Sequence, residues 1–154
     1  MENDLISKYR SEVIERFINL EWLINAIISQ HYFNNVYLQF MLEVLYDENF
    51  PFSLRKNILV KICPSFDKKI LQKIYRLNTI RNYFSHCNQE IIELNNPTEG
   101  KVIDPRNLNC SIDFEMLYQE FMSEIGEIEE YLSSIYKSKG GIITSDINDY
   151  VKRV

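Results

Sequence analysis

Residues 4–30 read DLISKYRSEVIERFINLEWLINAIISQ, and nothing in them breaks a helix. Ile6, Tyr9, Val13, Phe17, Leu20, Ile24 and Ile27 recur every three or four positions, the spacing that lines up one helical face. Ile14, Ile18, Trp22 and Ile28 form a second apolar stripe on a neighbouring face. A helix apolar on two faces is packed from two sides. Either it sits centrally in a bundle, or one face meets another subunit.

The helical period continues downstream. Asn34-Asn35 reads as a connection and Val36 to Tyr46 as a second, shorter helix. After the loop Asp47-Glu48-Asn49-Phe50-Pro51, Ser53 is placed to cap a third helix from Leu54 to Ile62, which Pro64 stops. Ser65 or Asp67 caps a fourth helix, striped by Ile70, Ile74, Leu77, Arg81 and Phe84 and running to the neighbourhood of His86. Glu90 to Leu94 and Lys101 to Ile103 flank the turn-forming Asn95 to Gly100 and predict two short strands. Ser111 or Asp113 caps a long last helix with Phe114, Leu117, Tyr118, Phe121, Ile125, Ile128 and Leu132 as its stripe; Gly140-Gly141 closes it. The expected fold is an all-α bundle of four to five helices with a short β-hairpin excursion between the last two. Residues 1–137 form one helical domain in this reading, and 138–154 a C-terminal arm that is flexible unless a partner holds it.

Composition agrees with helices. The chain has 154 residues, 45% of them apolar and 25% charged, a globular rather than disordered balance. Only 4 Gly and 4 Pro are present, which favours long regular elements over a turn-rich sandwich. No apolar run approaches the roughly 18–20 residues that cross a bilayer, and Met-Glu-Asn-Asp-Leu does not open a signal peptide. Cys63, Cys87 and Cys110 are odd in number and widely separated, and with His31 and His86 as the only imidazoles they build no metal cluster. Three free thiols, a cytoplasmic location, no membrane and no cofactor are the expectation.

The net charge of −5 hides a local field. Between residues 51 and 86 stand Arg55, Lys56, Lys61, Lys68, Lys69, Lys73, Arg76 and Arg81, against Asp67 alone. Local fields govern anion binding, and Lys69, Lys73 and Arg76 are the expected electrostatic contacts for RNA phosphates. At the end of this basic helix comes Arg81-Asn82-Tyr83-Phe84-Ser85-His86. Imidazole is the side chain suited to proton transfer near neutral pH, and guanidinium grips phosphate oxygens with a planar fork. On a continuous helix, five positions separate Arg81 and His86 by about 140°, so one copy cannot easily converge both on a single phosphate. Either two copies meet near a two-fold axis, or the helix ends before His86. Asn82, one turn before His86, is placed to orient the imidazole or to contact the phosphate.

This segment resembles the Arg-x(4–6)-His motif of the HEPN superfamily, in which a polar residue, often Asn, follows the Arg. A long first helix, the motif late in a downstream helix and one further helix afterwards also resemble that family's order. The resemblance implies metal-independent RNA cleavage by a homodimer, with two motifs facing each other across the subunit interface. It implies Arg81, His86 and Asn82 as catalytic residues, attack by the 2′-OH, and a 2′,3′-cyclic phosphate product. It also implies a toxin or antiviral-defence role, with an antitoxin or another defence protein as partner. Glu21, interrupting the apolar run of the first helix, is the expected supporting partner for Arg81 or His86. HEPN toxins paired with nucleotidyltransferase antitoxins carry a Tyr two residues beyond the His. Asn88 stands there, so that mode of regulation does not carry over. The alternative is a non-catalytic helical dimer that binds RNA, nucleotides or proteins as a scaffold.

Overall fold

The computed structural model describes residues 2–86, 101–104 and 107–142. Among the described residues the chain is mostly helical with one short strand pair, an all-α bundle whose β-hairpin precedes the last described helix. Its elements are α1 (Glu2–Phe33), α2 (Leu38–Phe40) running into a π-turn at Met41–Leu45, and α3 (Phe52–Ile62). α4 (Lys68–His86), β1 (Lys101–Asp104), β2 (Asn107–Asp113) and α5 (Phe114–Ser138) follow. Among the described residues no helix is long and apolar enough to cross a membrane.

Two compact units share these elements. The first comprises Met1–Asn19 and Asp67–Ile128. Its core is Ile6, Val13 and Phe17 of α1, Ile70, Ile74, Leu77 and Phe84 of α4, and Phe114, Leu117, Phe121, Ile125 and Ile128 of α5, all on the stripes read from the sequence, together with Ile80, which that reading did not include. Phe84 meets Phe114 edge-on at 5.0 Å, and Tyr9 stacks on Tyr118 at 4.0 Å. Ile18, from the second stripe of α1, is 52% exposed here.

The second unit comprises Leu20–Phe66 and Glu129–Val154. From Leu23 to Gln30 every residue of α1 is buried, so this half of the helix is packed on all sides within the unit, the first of the two alternatives that its two-sided pattern left open. Leu59, Met41, Leu45, Leu132 and Tyr136 complete the core around it. α5 ends where Gly140 takes φ +86°, and Gly141 donates to the Tyr136 carbonyl at 2.9 Å. A Cβ on Gly141 would lie 2.4 Å from the ring of Tyr136, which is 2% exposed. Gly141→Ala should therefore destabilise the protein by about 1–3 kcal/mol, read as a lowered thermal midpoint.

Several boundaries depart from the sequence expectation. α3 begins at Phe52, with Pro51 at the cap (φ −67°) and no side-chain cap bond, so Ser53 lies inside the first turn. Burial of Phe52 draws it into the helix, and the proline carbonyl accepts from Leu54 N at 3.0 Å. The second helix starts at Leu38, because the Val36 amide is taken by the Asn35 side chain and the Tyr37 amide by the Ser29 hydroxyl. Its end is π rather than α, with Tyr46 N donating to Met41 O, a ladder that lets Met41 and Leu45 both reach the core. Asp67 caps α4 (2.7 Å to Lys69 N), and Asp113 caps α5 (2.9 Å to Met116 N). β1 covers the expected Lys101 to Ile103, but its partner is β2, paired antiparallel from Lys101↔Asp113 to Asp104↔Asn107. The strand expected at 90–94 and its turn lie outside the described residues, as do Cys87, Asn88 and residues 143–154 of the arm.

Candidate functional site

α4 is helical through His86, so the 100° step per residue orders its side chains directly. Taking Arg81 as origin, Ser85 lies about 40° round the helix, Asn78 about 60°, Asn82 about 100° and His86 about 140°. The three residues of the motif thus belong to one polar sector that also contains Asn78 and Ser85. Its two edges differ in exposure. Arg81, Asn78, Asn82 and Ser85 are half-buried, whereas His86 is exposed in the last turn.

Arg81 is fixed against α1. Its Cζ stands 4.8 Å over the Phe17 ring, a cation–π distance. Its Nη2 donates to Asn78 Oδ1 at 3.2 Å. An open groove of about 550 Å³ lies between α1 and the same end of α4, lined by Arg10, Ile14, Glu15, Ile18, Asn19 and Ser85. It combines the apolar side chains of Ile14 and Ile18 with hydrogen-bonding groups, the cation of Arg10 and the carboxylate of Glu15.

Comparison with protein-family models, curated proteins and solved structures finds no match to this chain.

The other sequence candidates sit apart from Arg81 in character. Arg76 makes a two-pronged pair with Glu120, Nε to Oε1 at 2.6 Å and Nη2 to Oε2 at 2.7 Å. That fork holds the Glu120 carboxyl below the usual carboxylate range and raises the guanidinium of Arg76. Lys73 reaches Glu124 at 2.6 Å and also bonds Glu127; these two carboxylates raise its ammonium. Both cations are therefore compensated by α5. Of the three expected phosphate contacts, Lys69 alone has an exposed side chain with no ion pair among the described residues. The net charge of a segment does not reveal this, because the neutralising carboxylates are more than forty residues away in sequence.

Glu21 receives Arg55, Nη2 to Oε1 at 3.3 Å, in the second unit. Arg55 is 8% exposed and lies 5.7 Å from the Tyr46 ring and 5.6 Å from that of Phe52. Burial raises the Tyr46 hydroxyl above its ordinary value. His31, at the end of α1, meets Lys139 at 3.1 Å through Nδ1, and Gln30 donates to the Lys139 carbonyl. Cys63 is a buried free thiol, pushed up by burial. Among the described residues no group of three or more His, Cys, Asp or Glu could hold a metal ion. Asn78 and Ser85 went unread as site residues, although their i−3 and i+4 spacing from Arg81 was a signal in plain view.

Proposed function

We propose that this chain is a HEPN-like, metal-independent endoribonuclease of the toxin or antiviral-defence type, cytoplasmic and active as a homodimer. The observation that carries the reading is the divergence of the motif on α4. Arg81 is held against Phe17 while His86, on the same continuous helix, is exposed about 140° away. One copy then offers a guanidinium or an imidazole to a given phosphate, and a second copy completes the pair. The exposed Ile18 in the groove beside Ser85 supports such a contact, since an apolar side chain there gains from being covered.

In this reading the RNA 2′-OH attacks the adjacent phosphorus. The O2′–P bond forms, the P–O5′ bond breaks, and the products are a 2′,3′-cyclic phosphate and a 5′-OH. His86 moves the proton, taking it from the 2′-OH or delivering it to the departing 5′-oxygen. Arg81 stabilises the charge that builds on the phosphorane oxygens, and Asn82, on the His86 side of the sector, orients the imidazole or the phosphate. Incubation of the purified protein with end-labelled RNA in EDTA should give fragments bearing cyclic phosphate. Ile18→Glu should convert the dimer to monomer by light scattering and remove cleavage with it. A wild-type monomer at micromolar concentration would remove this mechanism.

One observation favours a scaffold instead. Around α2 the second unit exposes Tyr32, Phe33, Tyr37, Leu38 and Leu42, an apolar surface of the kind that binds proteins. Tight RNA or protein binding without any cleavage would decide for that reading.

A further inference from the structure

We infer that the groove beside α2 is a docking site for a helix of a partner protein, one that presents aliphatic side chains along one face and lysine or arginine at its flank. This inference holds whether or not the chain cleaves RNA. The groove is open, about 670 Å³ in volume, and belongs to the second unit; the connection Asn35–Tyr37 lines it together with Leu38, Gln39, Leu42 and Glu43. Its apolar side chains Tyr37, Leu38 and Leu42 are 46%, 46% and 58% exposed. Met41 and Leu45 of the π-turn are buried in the core, which leaves Leu42 outside, four positions from Leu38. Phe33 extends the surface, packed at 5.4 Å on Tyr37 and 4.9 Å on Phe40. An apolar patch of this kind gains from being covered.

Charge selects the occupant. The Glu43 carboxylate lines the groove and accepts from Gln39 Nε2 at 3.0 Å, a bond that orients it without neutralising it. Asp47 and Glu48 follow directly after the π-turn and are exposed. Among the described residues no ion pair neutralises these carboxylates. No lysine or arginine stands between Arg16 and Arg55 in the sequence, and Arg55 and Lys56 are buried. Such a field repels phosphate, so RNA does not suit this face. A second copy related by a two-fold axis would set the same carboxylates against each other. A cationic, partly apolar partner satisfies both the aliphatic and the acidic side chains.

The backbone selects a helix over an extended peptide. The Val36 amide donates to Asn35 Oδ1, the Tyr37 amide donates to the Ser29 hydroxyl oxygen, and that hydroxyl donates to the Asn35 carbonyl. A strand added to an edge needs free amides and carbonyls there, and these are engaged. A helix satisfies its own backbone and docks through side chains at i, i+3 or i+4, and i+7.

The probe is a synthetic helical peptide with leucines on one face and lysines beside them, titrated into the whole chain beside a version with glutamate for every lysine. Fluorescence anisotropy reads the affinity and NMR the place of binding. The lysine peptide should shift the signals of residues 35–43, bind at least about tenfold more tightly than the glutamate peptide, and weaken as salt rises. Leu42→Asp is the deciding variant. It adds negative charge, so a merely electrostatic attraction would strengthen, whereas docking in the groove should weaken about tenfold or more. Leu38→Asp, also outside the core, gives the same reading if circular dichroism shows that Leu42→Asp has lost helix. Glu43→Lys should bring the two peptides to about equal affinity. Equal affinity of both peptides for wild type, or undiminished binding of the lysine peptide by the aspartate variants, would overturn the inference. So would self-association of wild type that Leu42→Asp removes, which gives the groove to a second copy. NMR contacts between the Leu42 methyls and residues 143–154 in the free protein would overturn it too, in favour of the chain's own end.

Discussion

His86→Ala should lower RNA cleavage by roughly 10²–10⁴-fold, the worth of one positioned general acid or base, while leaving circular dichroism and oligomeric state unchanged. The structure makes this a clean test, because His86 is exposed in the final turn of α4 and belongs to no core. Arg81→Ala should be at least as severe, since it removes the charge that opposes the phosphorane. Arg81→Lys should recover little. Lysine keeps the charge but loses the fork, and its ammonium cannot both donate to Asn78 Oδ1 and lie flat over Phe17. Activity should persist in EDTA, and a limb of the pH–rate profile should disappear with the histidine. Should His86→Ala cut as well as wild type, or EDTA alone stop the reaction, the proposed chemistry is wrong.

The second large effect concerns stability. Glu21 and Arg55 form an ion pair whose side chains are only 15% and 10% exposed. Nε and Nη1 of Arg55 are buried with no hydrogen bond among the described residues, so Glu21 is the carboxylate on which this guanidinium depends. Glu21→Gln should leave a buried positive charge facing a neutral amide, at a cost of about 3–5 kcal/mol. For a chain of this size that corresponds to a thermal midpoint lowered by roughly 10 °C. Replacing both members, Glu21→Met with Arg55→Leu, should recover much of the loss, because no charge then stays buried. A double variant as unstable as the single one would mean that the cost lies in packing around Tyr46 and Phe52, not in charge. Measured beside the His86 variant, this experiment also separates a fold effect from a chemical one.

Particular elements show why some features were readable in advance and others were not. The stripes of α4 and α5 were legible because the apolar residues at the helical period became core, Ile70, Ile74, Leu77 and Phe84, then Phe114, Phe121, Ile125 and Ile128, with Tyr118 half-buried as the exception. The β2 strand was missed although Asn107 to Asp113 alternates polar and apolar residues cleanly, with Leu108, Cys110 and Ile112 in between. Its signal lost to the apolar run at 90–94, which pattern alone cannot rank. Ser53 looked like a cap, but burial of Phe52 moved the start of α3 by two residues. Such a shift is a tertiary preference overriding a local one.

By itself, then, the sequence determined the helical class, the long first helix with two apolar faces, a strand at Lys101 to Ile103, and the place of Arg81 and His86 on α4. These follow from periodicity and covalent spacing, which act between near neighbours in the chain. Only the tertiary structure decided what each charged side chain is doing. It paired Arg76 with Glu120, Lys73 with Glu124 and Glu127, and Arg55 with Glu21, and it set Arg81 over Phe17 with Asn78 at its edge. It also divided the two-faced helix into a half buried all round from Leu23 to Gln30 and a half that leaves Ile18 in solvent. The physical reason is range. A helix is specified by contacts three and four residues apart, but the partner of a charge or of an apolar face is chosen by packing between segments far apart in sequence.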